Sequence, residues 1–443
     1  MREPGVGPLI EVRDLSTRFS VRGSFLDRLR GREAGSVRAV DGVSFDLRRG
    51  EVLGLVGESG SGKTTLGRTL LGLAEASGGS IRLEGEEITG LGERDFRPLR
   101  RRMQIVFQDP HASLNPAMTI GTSVGDPLRF HGIAEEREQR ERLVAEALER
   151  VGLAPAAQFT DKYPSDLSGG QKQRAVLARA IILGPDVLIA DEPVSMLDMS
   201  VRAKILKLMI ELKGELGLTY LYITHDLATA KFFCDRIAIM YLGRIVEIGP
   251  AEAIYADPQH PYTASLLRAI PEPDPERSVP RDLPRGEIPD AVAPPLGCRF
   301  HPRCPRAFEV CGWEGRDLRA LLESRWTRLP EPDYEAERAR IGSLEVLDEP
   351  SLEGVVPVAR GHDSQEALDV VEALRADAPR DPFWSGVADV RPDPHGALVR
   401  FHDGLEPRQV EVGETRVECH LHDEAALAAA SRVRSGAVAR LRG

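Results

Sequence analysis

The stretch Gly57-Glu58-Ser59-Gly60-Ser61-Gly62-Lys63-Thr64-Thr65 decides the fold of this chain. It fits the phosphate-binding pattern G-x-x-x-x-G-K-[ST] in full, between an apolar run at residues 52–56 and an apolar, helix-forming run at residues 66–71. That context predicts a buried strand, a glycine-rich turn and the start of a helix. Glycines let successive backbone N–H groups point at phosphate oxygens, and the helix N-terminus adds positive potential. The stretch therefore predicts a nucleotide site, and a glycine-rich turn that binds nothing is the weaker alternative.

Side chains and backbone of this stretch have separate predicted roles. Lys63 is expected to reach the β- and γ-phosphates, and the Thr64 hydroxyl is expected to bind Mg²⁺. The other predicted nucleotide contacts of the stretch are Gly57, Ser59, Gly60, Ser61, Gly62 and Thr65. Small residues recur here because the backbone must curl closely around the phosphates.

Length and composition limit the possible functions. At 443 residues the chain exceeds one typical domain, so two or three domains are expected. The net charge of −11 argues against a nucleic-acid binder that uses a basic face. No apolar run reaches the length of a membrane span, and residues 1–4 lack the apolar segment of a secretory signal. We therefore expect a cytoplasmic protein whose membrane role comes through a partner.

Two further apolar runs end in residues that suit phosphate chemistry. Residues 187–190 predict a buried parallel strand that presents Asp191 and Glu192 at its C-terminal end, where ligands bind in open α/β sheets. We expect Asp191 to hold Mg²⁺ and Glu192 to polarise the attacking water. A strand predicted at residues 219–224 delivers His225 to a position suited to a γ-phosphate contact, although a histidine at a strand end is often only packing.

Two other features leave equal alternatives. Ser168-Gly169-Gly170-Gln171 precedes a helix predicted at residues 172–183, so it forms either an anion-binding helix terminus or a simple helix cap. Phe19 lies in a strand predicted by the alternation of residues 9–20, where it either offers an aromatic face to a base or packs in the core. The residues that follow, 21–36, predict a loop.

Taken in order along residues 8–258, these motifs resemble the nucleotide-binding domain of ATP-binding-cassette (ABC) transporters. The motifs that carry the resemblance are the phosphate-binding stretch, Gln108, Leu167 to Gln171, Asp191-Glu192, Asp198 and His225. The resemblance implies an α/β fold of the P-loop NTPase class, with a parallel sheet core plus antiparallel β and helical subdomains. It implies catalytic roles for Glu192, His225 and Gln108, a nucleotide contact from Asp198, and Mg²⁺ held by Thr64, Gln108 and Asp191.

The same resemblance implies an assembly. Two such domains would pack head to tail, so that each ATP lies between one phosphate-binding stretch and the partner's Ser168 to Gln171 motif. The implied partners are a second ABC ATPase subunit in a heterodimer, two transmembrane permease subunits and an extracytoplasmic solute-binding protein, with no nucleic acid. The chain is then expected at the cytoplasmic face of the cell membrane.

Other stretches narrow the resemblance to one group of transporters. Residues 107–116, 240–243 and 259–263 are similar to the oligopeptide/dipeptide permease ATPases, and residues 112–116 to the second of their two ATPase subunits. The leading expectation is therefore the ATPase of a di- or oligopeptide importer. The alternatives are the same motor serving an oligosaccharide or nickel, and a non-transport ABC ATPase.

The C-terminal part combines a family extension with an insertion. Residues 259–313 and the closing residues 416–443 resemble the extension of that family, whereas residues 314–415 have no counterpart in it. The insertion predicts a small α+β subdomain, with a capped amphipathic helix at residues 363–376 and a hairpin around residues 392–396. The expected architecture is the cassette followed by a small α+β extension.

Four of the five cysteines belong to this C-terminal part: Cys298, Cys304, Cys311 and Cys419. Their spacing differs from the C-x₂-C pairs of common zinc sites. Four thiolates with arginines nearby suit a four-iron four-sulfur cluster, which some members of the resembled family carry on this extension. Zinc and free thiols are the alternatives, and Cys234 is expected to be an inert packed residue.

Overall fold

The computed structural model describes residues 7–20, 36–270 and 286–440. The chain divides into two compact units, residues 1–256 and 257–443. Apart from Ser36, the loop predicted at residues 21–36 lies outside the described residues, as do residues 1–4. None of the helices in the described ranges combines the length and apolarity needed to cross a bilayer.

The described part of the first unit contains ten strands. They are β1 (Ile10–Ser20), β2 (Ser36–Leu47), β3 (Val52–Val56), β4 (Gly78–Leu83), β5 (Glu86–Glu87), β6 (Met103–Val106), β7 (Val187–Asp191), β8 (Thr219–Thr224), β9 (Arg236–Tyr241) and β10 (Arg244–Pro250). One sheet is antiparallel, in the order β2-β1-β4-β5. The other has the order β10-β9-β3-β8-β7-β6 and is parallel except for the β9–β10 pair.

Helices connect and cover these strands. They are α1 (Lys63–Leu70), α2 (Glu93–Phe96), α3 (Leu99–Arg102), α4 (Pro110–Ser113), α5 (Ile120–Phe130), α6 (Arg137–Arg150), α7 (Gly169–Ile181), α8 (Met199–Leu216), α9 (Leu227–Phe233) and α10 (Ala251–Ala256). Short 3₁₀ turns at residues 156–158 and 164–166 follow α6.

The parallel strands position the polar motifs. Every residue of β3, β7 and β8 is buried, which explains why these runs are almost continuously apolar. Because β6, β7, β8 and β3 are neighbouring parallel strands, their C-terminal ends lie along the same sheet edge. The residues that follow these four strands are therefore brought to one place.

The second unit has five described helices and two groups of strands. The helices are α11 (Pro261–Arg268), α12 (Gly315–Trp326), α13 (Glu331–Arg340), α14 (Ser364–Asp377) and α15 (Glu424–Arg440). The strands are β11 (Glu353–Pro357), β12 (Val387–Asp393), β13 (Gly396–Phe401), β14 (Gln409–Val412) and β15 (Thr415–Glu418). The first three form an antiparallel sheet in the order β11-β13-β12, and β14 pairs with β15 as a hairpin. Four 3₁₀ turns lie at residues 301–303, 344–347, 382–386 and 420–422.

The two elements predicted within residues 314–415 are confirmed. The predicted helix is α14, which is capped by Asp363, and the predicted hairpin is β12–β13. The core of this region also contains residues that precede it, because Cys311 and Trp313 are buried in one apolar cluster with Leu318 and Phe383. Residues 314–415 therefore share their core with the neighbouring extension.

Candidate active site

The phosphate-binding stretch forms the turn between β3 and α1. Glycine is required at two positions of this turn. Gly62, the N-cap of α1, has a φ of 101°, and a Cβ on Gly57 would lie 2.1 Å from the carbonyl oxygen of Met240. A hydrogen bond from a second turn also stabilises this one, because Gly243 donates its backbone N–H to the carbonyl oxygen of Ser61 over 2.9 Å. Three other predicted contacts lie on this turn and at the start of α1: Ser59, Gly60 and Thr65.

Lys63 opens α1 and extends its side chain back over the turn. Its Nζ donates hydrogen bonds to the carbonyl oxygens of Gly57 and Glu58, each over 2.8 Å. Burial lowers the pKa of Lys63, and the nearby carboxylates of Glu192 and Asp191 oppose that shift. The ammonium is thus fixed at the centre of the turn, where a phosphate can replace its carbonyl acceptors.

Thr64 and Asp191 join the phosphate-binding turn to the end of β7. The Oγ1 of Thr64 donates to the Oδ1 of Asp191 over 3.1 Å. Burial raises the pKa of Asp191, and the hydrogen bond from Thr64 partly offsets this effect. A hydroxyl beside a carboxylate supplies the oxygen donors that Mg²⁺ prefers.

Glu192 lies at the centre of a group of three polar side chains. The Nε2 of Gln108 donates to the Oε2 of Glu192 over 3.2 Å, and the Nδ1 of His225 lies 2.9 Å from its Oε1. Glu192 has a φ of 48°, in the left-handed region that non-glycine residues seldom adopt, and such conformations cluster at functional sites. The structure therefore brings together the three residues predicted to be catalytic, from the ends of β6, β7 and β8.

The Ser168 motif forms a reciprocal helix cap. The Oγ of Ser168 accepts the backbone N–H of Gln171, and the Oε1 of Gln171 accepts the backbone N–H of Ser168 over 2.9 Å. Because of this cap, the helix predicted at residues 172–183 begins three residues earlier, at Gly169, and includes Gly170. Within the described residues, no hydrogen bond joins Ser168 to Lys63 or Glu192.

Asp198 and Phe19 lie at the ends of other elements. Asp198 caps α8 by accepting the backbone N–H of Val201 over 2.9 Å, and this bond lowers the pKa of the Asp198 carboxyl, with a further contribution from the Ser200 hydroxyl. Phe19 is close to the end of β1 and is 46% exposed. The alternative that placed Phe19 in the core is therefore wrong, and its ring faces solvent.

The sequence analysis missed the support that the β9–β10 hairpin gives to the phosphate-binding turn. Gly243, at a φ of 83°, uses its N–H on Ser61 and accepts the backbone N–H of Asp41 on β2 over 2.9 Å. The neighbouring Gly62 has room only for hydrogen, because a Cβ there would lie 2.0 Å from the carbonyl oxygen of Ala39. Gly243 lies between the two apolar runs that form β9 and β10, so the sequence indicates a tight turn there. Nothing in the sequence indicates which loop that turn contacts.

Known proteins match both parts of the chain. The family model for the ABC transporter matches residues 40–195, and the model for the oligopeptide/dipeptide transporter C-terminal region matches residues 246–311. A putative peptide import ATP-binding protein of Brucella ovis is 47% identical over 314 residues, which cover 71% of this chain and 95% of that protein. The chain belongs to the ABC transporter family.

A second relative supports this assignment. The oligopeptide transport ATP-binding protein AppF of Bacillus subtilis is 44% identical over 306 residues, which cover 68% of this chain and 91% of AppF. A solved bacterial ABC transporter cassette aligns with a TM-score of 0.48 at 27% identity, over 55% of this chain and 98% of its own. The predicted fold class and ATPase activity of this ABC protein are confirmed, with ATP and Mg²⁺ as its ligands.

The four C-terminal cysteines of this ABC ATPase lie close enough to influence one another. Burial raises the pKa of the Cys298 thiol, and the charges of Cys311, Cys419 and Cys304 raise it further. Burial is also the largest cause that raises the pKa values of Cys304 and Cys311 to about 12. In the ranges that the structure describes, however, no three His, Cys, Asp or Glu side chains are placed to hold a metal ion. The thiols are gathered without forming a coordination shell.

Proposed function

We propose that this ABC ATPase hydrolyses ATP at the Glu192 site to power the import of di- or oligopeptides. The cargo class is supported by the relatives, which are named as peptide import and oligopeptide transport ATP-binding proteins, and by the match to the C-terminal region model. The chemistry is supported by one observation above the others. The carboxylate of Glu192 is held between Gln108 and His225 at the end of a buried strand.

Glu192 is the proposed water-orienting residue. Attack on a γ-phosphate requires a water that is held in line and relieved of a proton. Both carboxylate oxygens of Glu192 are fixed by neighbours, at 3.2 Å and 2.9 Å, so its orientation is set by the protein. Gln108 and His225 complete this group on the side where the γ-phosphate of the substrate would lie.

The phosphate-binding turn would supply the positive charge. Lys63 would exchange its two carbonyl acceptors for phosphate oxygens of ATP. Mg²⁺ bound with ATP neutralises charge on the phosphates, and Thr64 and Asp191 are the residues that would hold it. The amide of Gln108 faces Glu192, which favours its catalytic role over its role as a Mg²⁺ ligand.

We infer that a second ATPase subunit completes the nucleotide site. Ser168 and Gly170 would face the ATP of the partner, since Ser168 makes only cap interactions among the described hydrogen bonds. The remaining proposed partners are two transmembrane permease subunits and an extracytoplasmic solute-binding protein. The ATPase would then lie at the cytoplasmic face of the membrane.

We also propose that the four cysteines hold a four-iron four-sulfur cluster that stabilises the extension. The donor set suits this group. Burial and the charges of neighbouring cysteines raise the pKa values of Cys298, Cys304 and Cys311, and a cationic iron core would favour their thiolate forms. Arg306 already lowers the pKa of Cys304 slightly, against the larger effect of burial. The thiol positions are not those of a coordination shell, so the cluster would require its ligands to move closer together.

Iron analysis tests the cluster. Protein purified without oxygen should contain iron and inorganic sulfide, and Cys304→Ser should lose both while ATP binding persists. Cys234→Ser is the matched control, since Cys234 is a buried cysteine of the first unit. Stoichiometric zinc, or iron content unchanged by Cys304→Ser, would contradict the proposal.

Reconstitution tests the transport function. The chain would be assembled in vesicles with the permease and ATPase subunits encoded beside it, with the ATPases facing the ATP solution. We expect ATP hydrolysis to rise when the binding protein delivers a labelled oligopeptide, and the peptide to cross the membrane. Stimulation by nickel or an oligosaccharide, with none by peptides, would contradict the proposed cargo.

A further inference from the structure

Gln108, which donates to Glu192, lies in the short connection between the strand β6 and the helix α4. The strand ends at Val106, which the sheet fixes by parallel pairing with Ala190 of β7. On the other side, Gln108 is followed directly by Asp109, the N-cap of α4. The position of the Gln108 backbone therefore depends on where α4 lies as well as on β6.

The helix α4 consists of a single turn, and so short a helix has little stability of its own. The side chain of Asp109 accepts the backbone N–H of His111 over 2.7 Å, and its carbonyl oxygen accepts the hydroxyl of Ser113 over 2.7 Å. Of the helix residues, only Pro110 is buried. These local bonds shape the turn, but contacts with other elements must fix its place.

Two cationic side chains of α7 supply such contacts. The Nζ of Lys172 lies 3.2 Å from the Nδ1 of His111, and the Nη1 of Arg179 donates to the carbonyl oxygen of Ser113 over 2.6 Å. Lys172 and Arg179 are about two helical turns apart, so both lie on one face of α7. The helix α4 is therefore attached to this face at two points.

The chemistry of the two cations makes these contacts specific. A lysine ammonium only donates hydrogen bonds, so the Nδ1 of His111 must be the acceptor. Lys172 is 8% exposed, and among the residues that the structure describes it forms no ion pair with a carboxylate. Burial lowers the pKa of Arg179, which likewise has no ion pair in the described ranges. Both cations therefore direct their donors to α4.

We propose that Lys172 and Arg179 are positioning residues for Gln108. By holding α4 against α7, they fix the chain on the C-terminal side of Gln108, so that its amide reaches the carboxylate of Glu192 over 3.2 Å. In the described part of the chain neither cation is hydrogen-bonded to Glu192 or His225, so both act through Gln108. The inference rests on the proposed role of Gln108 in hydrolysis.

Substitution of His111 tests the contact without disturbing the core, because His111 is exposed. His111→Phe removes the acceptor for Lys172, whereas His111→Asn keeps an oxygen acceptor on a short side chain. In the assembled transporter, His111→Phe should lower kcat about tenfold and leave ATP affinity within about twofold, since a small displacement of a catalytic group costs rate rather than binding. His111→Asn should hydrolyse ATP at close to the wild-type rate. Wild-type kcat in His111→Phe would overturn the inference.

Non-additivity separates positioning from a general loss of stability. Lys172→Met should lower kcat about tenfold in the wild-type background and cause no further loss in the Gln108→Ala background, which lacks the positioned group. Arg174→Met is the matched control, because Arg174 lies on the same helix but donates to the carbonyl oxygen of Val151, after α6. Its effect on kcat should be equal in both backgrounds. A further loss from Lys172→Met in the Gln108→Ala background would show that Lys172 does not act through Gln108.

Hydrogen exchange of the full-length chain reports the position of α4 without nucleotide or permease. The backbone N–H groups of His111 and Ser113 are bonded to Asp109, and they should exchange about tenfold faster in Lys172→Met and in Arg179→Met, because α4 loses an attachment. The amides of the buried strand β7 should exchange as in the wild type. Unchanged exchange of the α4 amides in both variants would overturn the inference.

These outcomes distinguish the inference from the proposed function. Wild-type hydrolysis by Gln108→Ala would contradict the proposed role of Gln108 and, with it, the positioning. Reduced hydrolysis by Gln108→Ala, together with wild-type hydrolysis by His111→Phe and Lys172→Met, would contradict this inference alone.

Discussion

The two units of this ABC ATPase position their polar groups in different ways. In the first unit, neighbouring buried parallel strands end at one sheet edge, and Gln108, Glu192 and His225 meet there. In the second unit, the cysteines lie on loops and short 3₁₀ turns, and Cys419 follows a hairpin more than a hundred residues after Cys311. A site built on strand ends is fixed by the sheet, whereas a site built on loops depends on how the intervening chain folds.

Because of this difference, we expect ATP hydrolysis to depend on residues of the first unit, and the stability of the second unit to depend on its own apolar core. The proposed nucleotide site contains buried charges that are directly hydrogen-bonded: Lys63 donates to a carbonyl oxygen of the turn, and Asp191 accepts a hydrogen bond from Thr64. The second unit contains a core of aromatic and aliphatic side chains, in which Trp313 and Phe383 pack together. None of the residues predicted to be catalytic belongs to this unit. We therefore expect substitutions in the second unit to leave ATP binding unchanged, and substitutions in the first unit to leave the stability of the second unchanged.

The largest expected effect on the second unit comes from its core. Leu318 is completely buried, so Leu318→Ala should lower the free energy of unfolding of this unit by about 2–5 kcal/mol. Tryptophan fluorescence during denaturation measures this, because all three tryptophans, Trp313, Trp326 and Trp384, belong to the second unit. Leu427→Ala, at an exposed leucine, is the control. Loss of ATP binding at temperatures where Leu318→Ala is folded would contradict the separation of the units.

The converse change is Lys63→Ala. Removing a buried ammonium that is expected to contact phosphates should weaken ATP binding by about 1.5–3 kcal/mol, or roughly 10- to 150-fold. Binding of a fluorescent ATP analogue measures this, and Lys207→Ala, at an exposed lysine of α8, is the control. Unchanged affinity would remove Lys63 from the nucleotide site. A shift in the tryptophan-detected unfolding would show that the units are coupled.

A smaller effect is expected from pH, with opposite signs in the two units. Burial lowers the pKa of His260 in the second unit to about 3, so between about pH 6.5 and 3 the unfolded chain binds a proton that the folded unit does not. Stability should therefore fall on acidification, by up to ~1.4 kcal/mol per pH unit. In the first unit, burial raises the pKa of Asp191, so its contribution to stability is present at low pH and is lost as pH rises through the folded pKa.

Denaturation at pH 7.5 and 5.5 measures the histidine effect. His260→Asn keeps a side-chain acceptor for the Tyr262 N–H that His260 caps, but it cannot titrate. The tryptophan-detected stability of this variant should depend less on pH than that of the wild type. Equal pH dependence in both proteins would show that His260 does not carry the effect.

The proposed nucleotide site could be derived from the sequence because the motifs that indicate it are local. The phosphate-binding stretch, Asp191-Glu192 and His225 each follow an apolar run, and parallel strands must bring such ends together. The contact of Gly243 with Ser61 was not predictable, because a glycine turn does not name its neighbour. The sequence could not show whether Ser168 forms a helix cap or part of an anion site. Both use backbone N–H groups of the first helical turn, and in the structure the Ser168 cap accepts one of them.

The second unit was predicted less completely for the same reason. Helix α14 and the β12–β13 hairpin carry local signals, namely an Asp363 cap and a turn containing glycine. The approach of Cys419 to Cys298 depends on the path of the whole intervening chain.

The central claim, that Glu192 orients the attacking water, is tested most directly by Glu192→Gln in the assembled transporter. ATP affinity should stay within about threefold of the wild type, and steady-state hydrolysis should fall by at least ~100-fold, since general acid–base catalysis contributes about 10²–10⁴. Glu211→Gln, at an exposed glutamate of α8, should hydrolyse ATP normally. Hydrolysis by Glu192→Gln close to the wild-type rate would contradict the claim.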